Sequence, residues 1–173
     1  LFNKWENISQ WAYQTSDTIR SVSLSSNADY IVVGTDNEIY LFDQLENFLI
    51  WKYQVEYVWS WYPKVDISST GEYIVASDGK DKVYLFNKTE NVPLWTYQAE
   101  GYGTPVISST GEYILVHIYD YRGFRNDTIY LFSKAENIPL FTYQVGNSAH
   151  ISMSSNAEYF VVGSGEGKIY LFT

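Results

Sequence analysis

Short apolar runs of four to six residues, separated by turn-forming residues, follow one another along the whole chain. Two kinds of run are apolar at successive positions, for example residues 30–33 and 39–42. A strand with this pattern is covered on both faces, whereas a half-exposed strand alternates. Because no stretch carries a sustained stripe at helical spacing, the pattern predicts β-strands rather than helices.

The runs belong to a block that occurs four times. In each copy a glutamate follows a leucine by 5 residues, and a tyrosine follows the glutamate by 7. Identical spacings in four copies indicate one supersecondary unit that is used four times. The landmarks are Leu1, Glu6 and Tyr13; Leu41, Glu46 and Tyr53; Leu85, Glu90 and Tyr97; and Leu131, Glu136 and Tyr143.

Each complete unit contains four runs, and we predict that each run forms one strand. Small sheets covered on both faces and repeated around an axis are typical of a β-propeller, so we predict an all-β fold of four-stranded antiparallel blades. The four kinds of run are 21–25, 64–68, 105–109 and 150–154; then 30–34, 73–77, 113–118 and 159–163; then 38–42, 82–86, 128–132 and 168–172; and lastly 10–14, 49–54, 94–98 and 140–144.

The two ends of the chain predict how the ring closes. The chain opens on a fourth run and ends on a third run, so residues 10–14 are expected to pair with residues 168–172. This gives a single domain, residues 1–173, with four blades at about 17–55, 56–99, 100–146, and 147–173 plus 1–16. Bulky aromatic residues at one position of the outermost strand favour the wide spacing of a four-bladed ring. The alternative is a swapped dimer that forms an eight-bladed ring.

Two stretches resemble known propeller repeats. Residues 68–78, SSTGEYIVASD, resemble a blade of the WD-repeat propellers. Residues 83–97, with VYLF at one end and LWTY at the other, resemble the repeat of quinoprotein-like (PQQ-like) propellers. The Trp-Asp and Gly-His dipeptides of WD repeats are absent, and nothing matches a quinone pocket, so the resemblance implies the fold and no cofactor.

Composition excludes several classes of function. The 20 acidic residues outnumber the 11 basic ones, and this net charge of −9 argues against nucleic-acid binding. Without cysteine, and with only two histidines, the chain lacks the residues of common metal sites and nucleophilic triads. No apolar run approaches the roughly 18 residues of a membrane span. We therefore expect no enzymatic activity, no cofactor and no membrane span.

The location of the protein is indicated only by sequons. Asn7, Asn87 and Asn126 each begin an acceptor sequence for N-glycosylation, which favours an extracellular or cell-surface location. The first residue, Leu1, is not methionine, so we expect a processed product or a segment of a longer protein.

Variation in length is confined to one predicted face of the ring, which carries the linkers between blades and the turns between second and third strands. Two aromatic insertions lie there, at 56–62 and 119–127. Tyr, Trp and Arg commonly anchor interfaces, so we predict binding of a protein partner or of another copy, with a glycan as the alternative. Plugging of the channel is an equally open role. The candidate residues are Tyr57, Trp59, Trp61, Tyr62, Tyr102, Tyr119, Tyr121, Arg122, Phe124 and Arg125.

The opposite predicted face carries acidic residues in every repeat. They are expected to be solvated and partly neutralised by nearby lysines rather than to bind a cation, because dispersed carboxylates rarely converge on one ion. His117 and His150 have no recognisable catalytic partner, and we expect structural roles for both. The acidic residues are Asp29, Glu72, Glu112 and Glu158 in the turns, and Glu6, Glu46, Glu90 and Glu136 in the loops.

Overall fold

A computed structural model describes residues 9, 11–56, 62–120, 127–146 and 149–173. These residues form fifteen β-strands joined by turns, and no helix long and apolar enough to cross a membrane occurs among them. The strands are β1 Ile19–Leu24, β2 Tyr30–Thr35, β3 Glu38–Asp43, β4 Phe48–Gln54, β5 Lys64–Ile67, β6 Tyr73–Ser77, β7 Lys82–Asn87, β8 Pro93–Gln98, β9 Tyr102–Ile107, β10 Tyr113–Tyr119, β11 Asp127–Ser133, β12 Phe141–Gly146, β13 Ala149–Met153, β14 Phe160–Ser164 and β15 Ile169–Phe172.

The strands assemble into four separate antiparallel sheets in chain order. Sheets 1, 2 and 3 have four strands each, β1–β4, β5–β8 and β9–β12, and sheet 4 has the three strands β13–β15. Within each sheet every strand pairs with its neighbour in sequence. The repeat is visible in the register, because the irregularity between Leu41 and Phe42 recurs between Leu85 and Phe86. The predicted four-fold repetition of one sheet is confirmed.

Consecutive sheets pack face to face, which explains the uninterrupted apolar runs. Ile74 on β6 belongs to the core shared with sheet 1, whereas its neighbour Val75 belongs to the core shared with sheet 3. Both side chains are fully buried. Strands covered on both faces need apolar residues at successive positions, as the sequence pattern predicted.

The Ser-Ser turn between first and second strands has the same structure in all four sheets. The first serine accepts a hydrogen bond from the amide of the tyrosine five residues later, at 3.0–3.1 Å. The residue three positions after that serine has a positive φ, which is 76° at Gly71. A Cβ on Gly71 would also lie 2.1 Å from Cδ2 of Tyr30 in the preceding sheet. Glycine therefore meets both a backbone and a packing requirement at this position.

Two side chains of the repeat fasten neighbouring sheets at their outer strands. The indole N–H of Trp51 donates to the carbonyl of Lys88 in the next sheet, at 2.9 Å. In the reverse direction, the amide of Asn91 donates to the carbonyl of Lys52, at 3.2 Å. The same pair of bonds joins sheets 2 and 3 through Trp95 to Lys134 and Asn137 to Thr96. The recurring Asn of the Glu-Asn loop thus holds the preceding sheet in place.

Backbone hydrogen bonds also run from sheet to sheet along the inner turns. The amide of Ser26 donates to the carbonyl of Ser69, that of Ser69 to Ser109, and that of Ser109 to Ser155, at 3.0–3.1 Å. This series, which we call the serine ladder, contains one residue from each sheet. The carbonyl of Ser26 and the amide of Ser155 have no backbone partner among the described residues and form the two ends of the ladder.

The N-terminal segment differs from the prediction that residues 10–14 form a strand on the edge of β15. Residues 11–14 are irregular, and sheet 4 has three strands among the described residues. The rings of Trp11 and Tyr13 instead lie 5.8 and 4.9 Å from the ring of Phe42 in sheet 1. A segment without an adjacent strand edge lacks the hydrogen-bond partners that would make it a strand. Closure of the ring and the number of its blades stay predictions.

Candidate functional site

Direct contacts place the inter-sheet linkers and the turns between second and third strands on one face, which we call the linker face. The ammonium of Lys80, in the β6–β7 turn, lies 2.9 Å from the carboxylate of Glu56, which follows β4. Gln54 at the end of β4 donates to the carbonyl of Asn37 in the β2–β3 turn, at 2.9 Å. The Gln of the repeated Tyr-Gln pair therefore joins a fourth strand to a turn on this face.

Tyr102 and Tyr119 form a stacked pair on the linker face of sheet 3. They are opposite each other in the register of β9 and β10, and their ring centroids are 4.7 Å apart. Burial raises the pKa of Tyr102, and the nearby Tyr119 and Asp127 raise it further. The Tyr102 phenol therefore stays neutral at physiological pH, and the pair presents flat, half-buried rings fixed by adjacent strands. These are two of the predicted site residues.

Tyr62 is the third predicted site residue that the structure describes. Its ring is 37% exposed and lies beneath the guanidinium of Arg20, with 3.5 Å between the guanidinium carbon and the ring centroid. The Nε of Arg20 also donates to the carboxylate of Asp36, at 2.6 Å. Arg20 thus links the linker before β5 to the β2–β3 turn through a cation–π contact and an ion pair.

Seven predicted site residues lie outside the described residues. The grouping of all ten residues into one binding surface stays a prediction. These seven are Tyr57, Trp59, Trp61, Tyr121, Arg122, Phe124 and Arg125.

A buried carboxylate cluster on the linker face of sheet 1 was not predicted. The carboxylate of Glu38 accepts hydrogen bonds from Lys52 at 2.6 Å, from Ser16 at 2.7 Å, and from the phenol of Tyr40. Burial raises the pKa of Glu38, but these hydrogen bonds lower it more, to about 2. The other copies of the repeat have Lys82, Thr128 or Lys168 at the position of Glu38. This difference in charge between copies is the feature of the sequence from which the cluster could have been predicted.

His117 on β10 forms a buried pair with Asp127, at the end of sheet 3 that lies next to the linker face. Its Nε2 lies 2.9 Å from Oδ2 of Asp127, and the other carboxylate oxygen accepts the backbone N–H of Asp120 at 3.1 Å. Burial lowers the pKa of His117, against the opposing effect of Asp127, and His150 lowers it slightly more. The neutral imidazole and the carboxylate satisfy each other between strands, which fits the structural role predicted for His117.

We expect His117 to make the folded state less stable in mild acid. The unfolded chain takes up a proton on this imidazole near its ordinary pKa of 6.5, whereas the folded chain resists protonation. The contribution of His117 to the free energy of unfolding is complete above pH 6.5 and falls as the pH drops, by up to about 1.4 kcal/mol per pH unit. Urea titrations between pH 7.5 and 5 measure this slope.

The second histidine provides the control for that experiment. His117→Gln should remove the slope between pH 6.5 and 5, whereas His150→Gln should retain it, because His150 is exposed at the start of β13. Loss of the slope in His150→Gln, or its persistence in His117→Gln, would assign the acid sensitivity to another group.

Lysines pair with the acidic residue in two of the four turns on the opposite face, in line with the predicted partial neutralisation. Lys88 lies 3.0 Å from the Glu72 carboxylate and 5.1 Å above the ring of Tyr30 in the preceding sheet. Lys134 does the same with Glu112, at 2.6 Å, and with Tyr73 of sheet 2, at 4.7 Å. Among the described residues, no group of three or more His, Asp or Glu side chains is placed to hold a metal ion.

The four packed sheets match 1008 chains among the solved structures, and this similarity identifies the fold. One is the β-propeller domain of Cps50 (Swd1) from Myceliophteria thermophila, with a TM-score of 0.71 and 11% identity. The chain has a β-propeller fold. The match covers 92% of this chain and 52% of that propeller, so the chain spans about half its length.

Part of the propeller also matches a sequence family. Residues 7–43 match the family model of the WD domain, G-beta repeat (WD40). This segment runs from the N-terminal aromatic residues through β3 and supports the resemblance to WD-repeat propellers in part, because it does not include residues 68–78, on which that resemblance was based. The PQQ-like resemblance stays a prediction. A search of curated proteins found no match.

Proposed function

We propose that the chain is a non-catalytic propeller scaffold that binds a protein partner through its linker face. Propellers of the WD-repeat kind are commonly scaffolds for protein interactions, although a fold alone does not specify function. The observation that carries the proposal is the stacked pair Tyr102 and Tyr119, held by two adjacent strands at 4.7 Å. Rigid aromatic side chains lose little conformational entropy on binding, and they are frequent anchors of interfaces.

A second feature supports the same face. Arg20 and Tyr62 stack at 3.5 Å and present a charged and an aromatic group together. Arg20 is held by Asp36, so its position is fixed before a partner arrives. The seven predicted residues beyond the described part, with the same residue types, would extend this surface. Self-association is the second part of the proposal. In it, residues 1–16 of each copy complete the last blade of the other copy and so close a ring.

Selection from a peptide library tests the proposed partner surface. Phage carrying random peptides are panned on the unmodified chain, and enriched clones are then measured on the double variant Tyr102→Ser/Tyr119→Ser. We expect binding to be at least about ten-fold weaker, equal to about 1.4 kcal/mol. Circular dichroism checks that the variant is folded, and Tyr62→Ser, at an exposed residue, provides a milder second test.

The control variant is Glu46→Ser/Glu90→Ser, which changes two exposed residues on the opposite face and should leave binding unchanged. Failure to enrich any peptide, or equal binding to the tyrosine variant, would overturn the proposed surface. Binding of the unmodified chain to a glycan array in the absence of peptide binding would favour the glycan alternative instead.

A further inference from the structure

We infer that two copies of this chain join head to tail and complete one ring of eight blades. In this arrangement, sheet 4 of each copy packs on sheet 1 of the other, as sheets 1 and 2 pack within one chain. The inference deepens the self-association part of the proposed function and does not depend on the linker-face partner. Four independent features of the two end sheets lead to it.

The first feature is an exposed apolar face on sheet 1. Val22 and Leu24 on β1 are 64% and 49% exposed. The residues at the same positions of β5, Val65 and Ile67, are 8% and 6% exposed, because sheet 1 covers them. Sheet 1 thus presents to solvent the surface that its successor uses to bind a preceding sheet.

The second feature is the complementary face on sheet 4. Ile169 and Leu171 on β15 are 80% and 67% exposed, whereas Ile39 and Leu41, at the same positions of β3, are fully buried against sheet 2. Two large apolar side chains exposed side by side on one face of a strand commonly mark an interface. Between sheets 1 and 2, for example, the β3 face that contains Ile39 and Leu41 packs on the β5 face that contains Val65 and Ile67. Sheet 4 exposes the first kind of face, and sheet 1 exposes the second.

Each end face also has an unfilled hollow. A cavity of about 270 Å³ lies against sheet 1, with Ile31 and Val33 in its lining, and one of about 220 Å³ lies against sheet 4, lined by Met153, Val161 and Leu171. Inside the chain, the apolar side chains of a neighbouring sheet fill the corresponding positions. Docking of the two ends would fill both hollows.

The third feature is the serine ladder. It runs from sheet 1 to sheet 4 and ends with the carbonyl of Ser26 and the amide of Ser155. Each internal step joins such an amide to such a carbonyl in the adjacent sheet, at 3.0–3.1 Å. A head-to-tail contact supplies the Ser155 amide of one copy to the Ser26 carbonyl of the other and continues the ladder around the ring.

The fourth feature is the N-terminal segment around Trp11, which contacts sheet 1 as the outer strand of a preceding sheet would. Trp11 and Tyr13 contact Phe42 in the same way as Trp51 and Tyr53 contact Phe86, with centroid distances of 5.8 and 4.9 Å against 5.3 and 5.0 Å. They therefore occupy the place of the outer strand of a preceding blade.

Sheet 4 is the sheet that lacks such a strand. In the described chain it has three strands, and its outer edge, β15, is open. Placing sheet 4 of a second copy before sheet 1 brings this edge to the Trp11 segment, so the three strands of one copy gain their fourth from the other. Exchange of equivalent elements is a common route to dimers.

The curvature of the array favours two copies over closure of a single chain. The four sheets superpose on 52% of the length of a larger β-propeller domain, with a TM-score of 0.71, so they follow about half of that domain. A ring closed within one chain would bury Val22, Leu24 and Leu171, which the single chain exposes. If each copy forms half of the ring, the contact between sheet 4 of one copy and sheet 1 of the other occurs twice, and two copies complete the ring.

Engineered cysteines test the contact directly, because the chain has no native cysteine. Ser26 and Ser69 place their hydroxyl oxygens 2.9 Å apart across an internal sheet contact, so Ser26→Cys/Ser69→Cys should form a disulfide within one chain. Ser26→Cys/Ser155→Cys places cysteines at the two ends of the ladder. After mild oxidation, we expect this variant to migrate on a non-reducing gel as a dimer of about 40 kDa.

Each outcome of this experiment has a definite meaning. A dimer that returns to 20.0 kDa on reduction supports the two-copy ring, provided that the single variants Ser26→Cys and Ser155→Cys stay at 20.0 kDa. A disulfide within one chain would show a four-bladed ring, and free thiols would show that the ends do not meet. Both results would overturn the inference, and neither would affect the peptide-binding test of the linker face.

A substitution on the end face provides an independent measurement. Leu171→Asp, at a residue 67% exposed in the single chain, should leave the sheet folded and shift size-exclusion elution from two copies to one. Ile138→Asp changes an equally apolar residue, 61% exposed on the β11–β12 loop, and should elute like the unmodified chain. Identical elution of the Leu171 variant and the unmodified chain would contradict the proposed interface.

Discussion

Replacing Trp95 with alanine should lower the free energy of unfolding by about 3–5 kcal/mol. Trp95 is 9% exposed, and its ring packs against Phe132 of the next sheet at 5.5 Å. Its indole N–H also donates to the carbonyl of Lys134, at 3.1 Å. The alanine variant loses the ring contacts and the inter-sheet hydrogen bond, and leaves a cavity between the outer strands of sheets 2 and 3.

The repeat itself offers the control for this prediction. Phe141 occupies the equivalent position in sheet 3 and packs against Phe172 at 5.3 Å without an indole N–H. Trp95→Phe should therefore cost only about 1–2 kcal/mol, for the lost hydrogen bond and the smaller ring. Urea unfolding followed by circular dichroism, at one fixed chain concentration, measures both variants. Equal losses for alanine and phenylalanine would show that ring packing does not stabilise this contact.

Replacing Asp127 with alanine should cost about 3 kcal/mol, because two hydrogen bonds to a buried carboxylate are lost. Nε2 of His117 and the amide of Asp120 would both lose their partner, at a site where Asp127 is fully buried. Unfolding by urea at pH 7.5, where His117 is neutral, measures the loss.

An exposed ion pair serves as the comparison for Asp127. Glu112→Ala breaks the contact with Lys134 on the surface of sheet 3, and such pairs contribute about 0–1 kcal/mol. A loss as small for Asp127→Ala as for Glu112→Ala would show that solvent reaches the His117 pair and that it does not hold the strands together. Asp127→Asn, which keeps the shape and one acceptor, is expected to fall between the two.

The sequence predicted the order and strand character of the sheets because the repeat fixes both. Runs that are apolar at successive positions, such as Ile74 and Val75, directly report burial on two faces. The inter-sheet bonds were not predictable in the same way. Asn91 and Gln54 donate to backbone carbonyls, and every residue has a carbonyl, so no sequence pattern identifies the acceptor.

The site was less predictable than the fold. Tyr102 was expected to belong to an aromatic surface, and its stacking on Tyr119 follows from the register of β9 and β10. The Glu38 cluster and the Asp127 partner of His117 depend on residues brought together across a turn or between strands. Closure of the ring depends on the angle between neighbouring sheets. Small differences in side-chain packing set this angle, and local sequence patterns contain little information about it.

Sedimentation equilibrium of the unmodified 173-residue chain tests the central claim most directly, that four repeat sheets form half of a propeller ring. The two-copy ring predicts a mass of about 40 kDa that stays constant as the chain is diluted through the micromolar range. A mass of 20.0 kDa across the same range would contradict it.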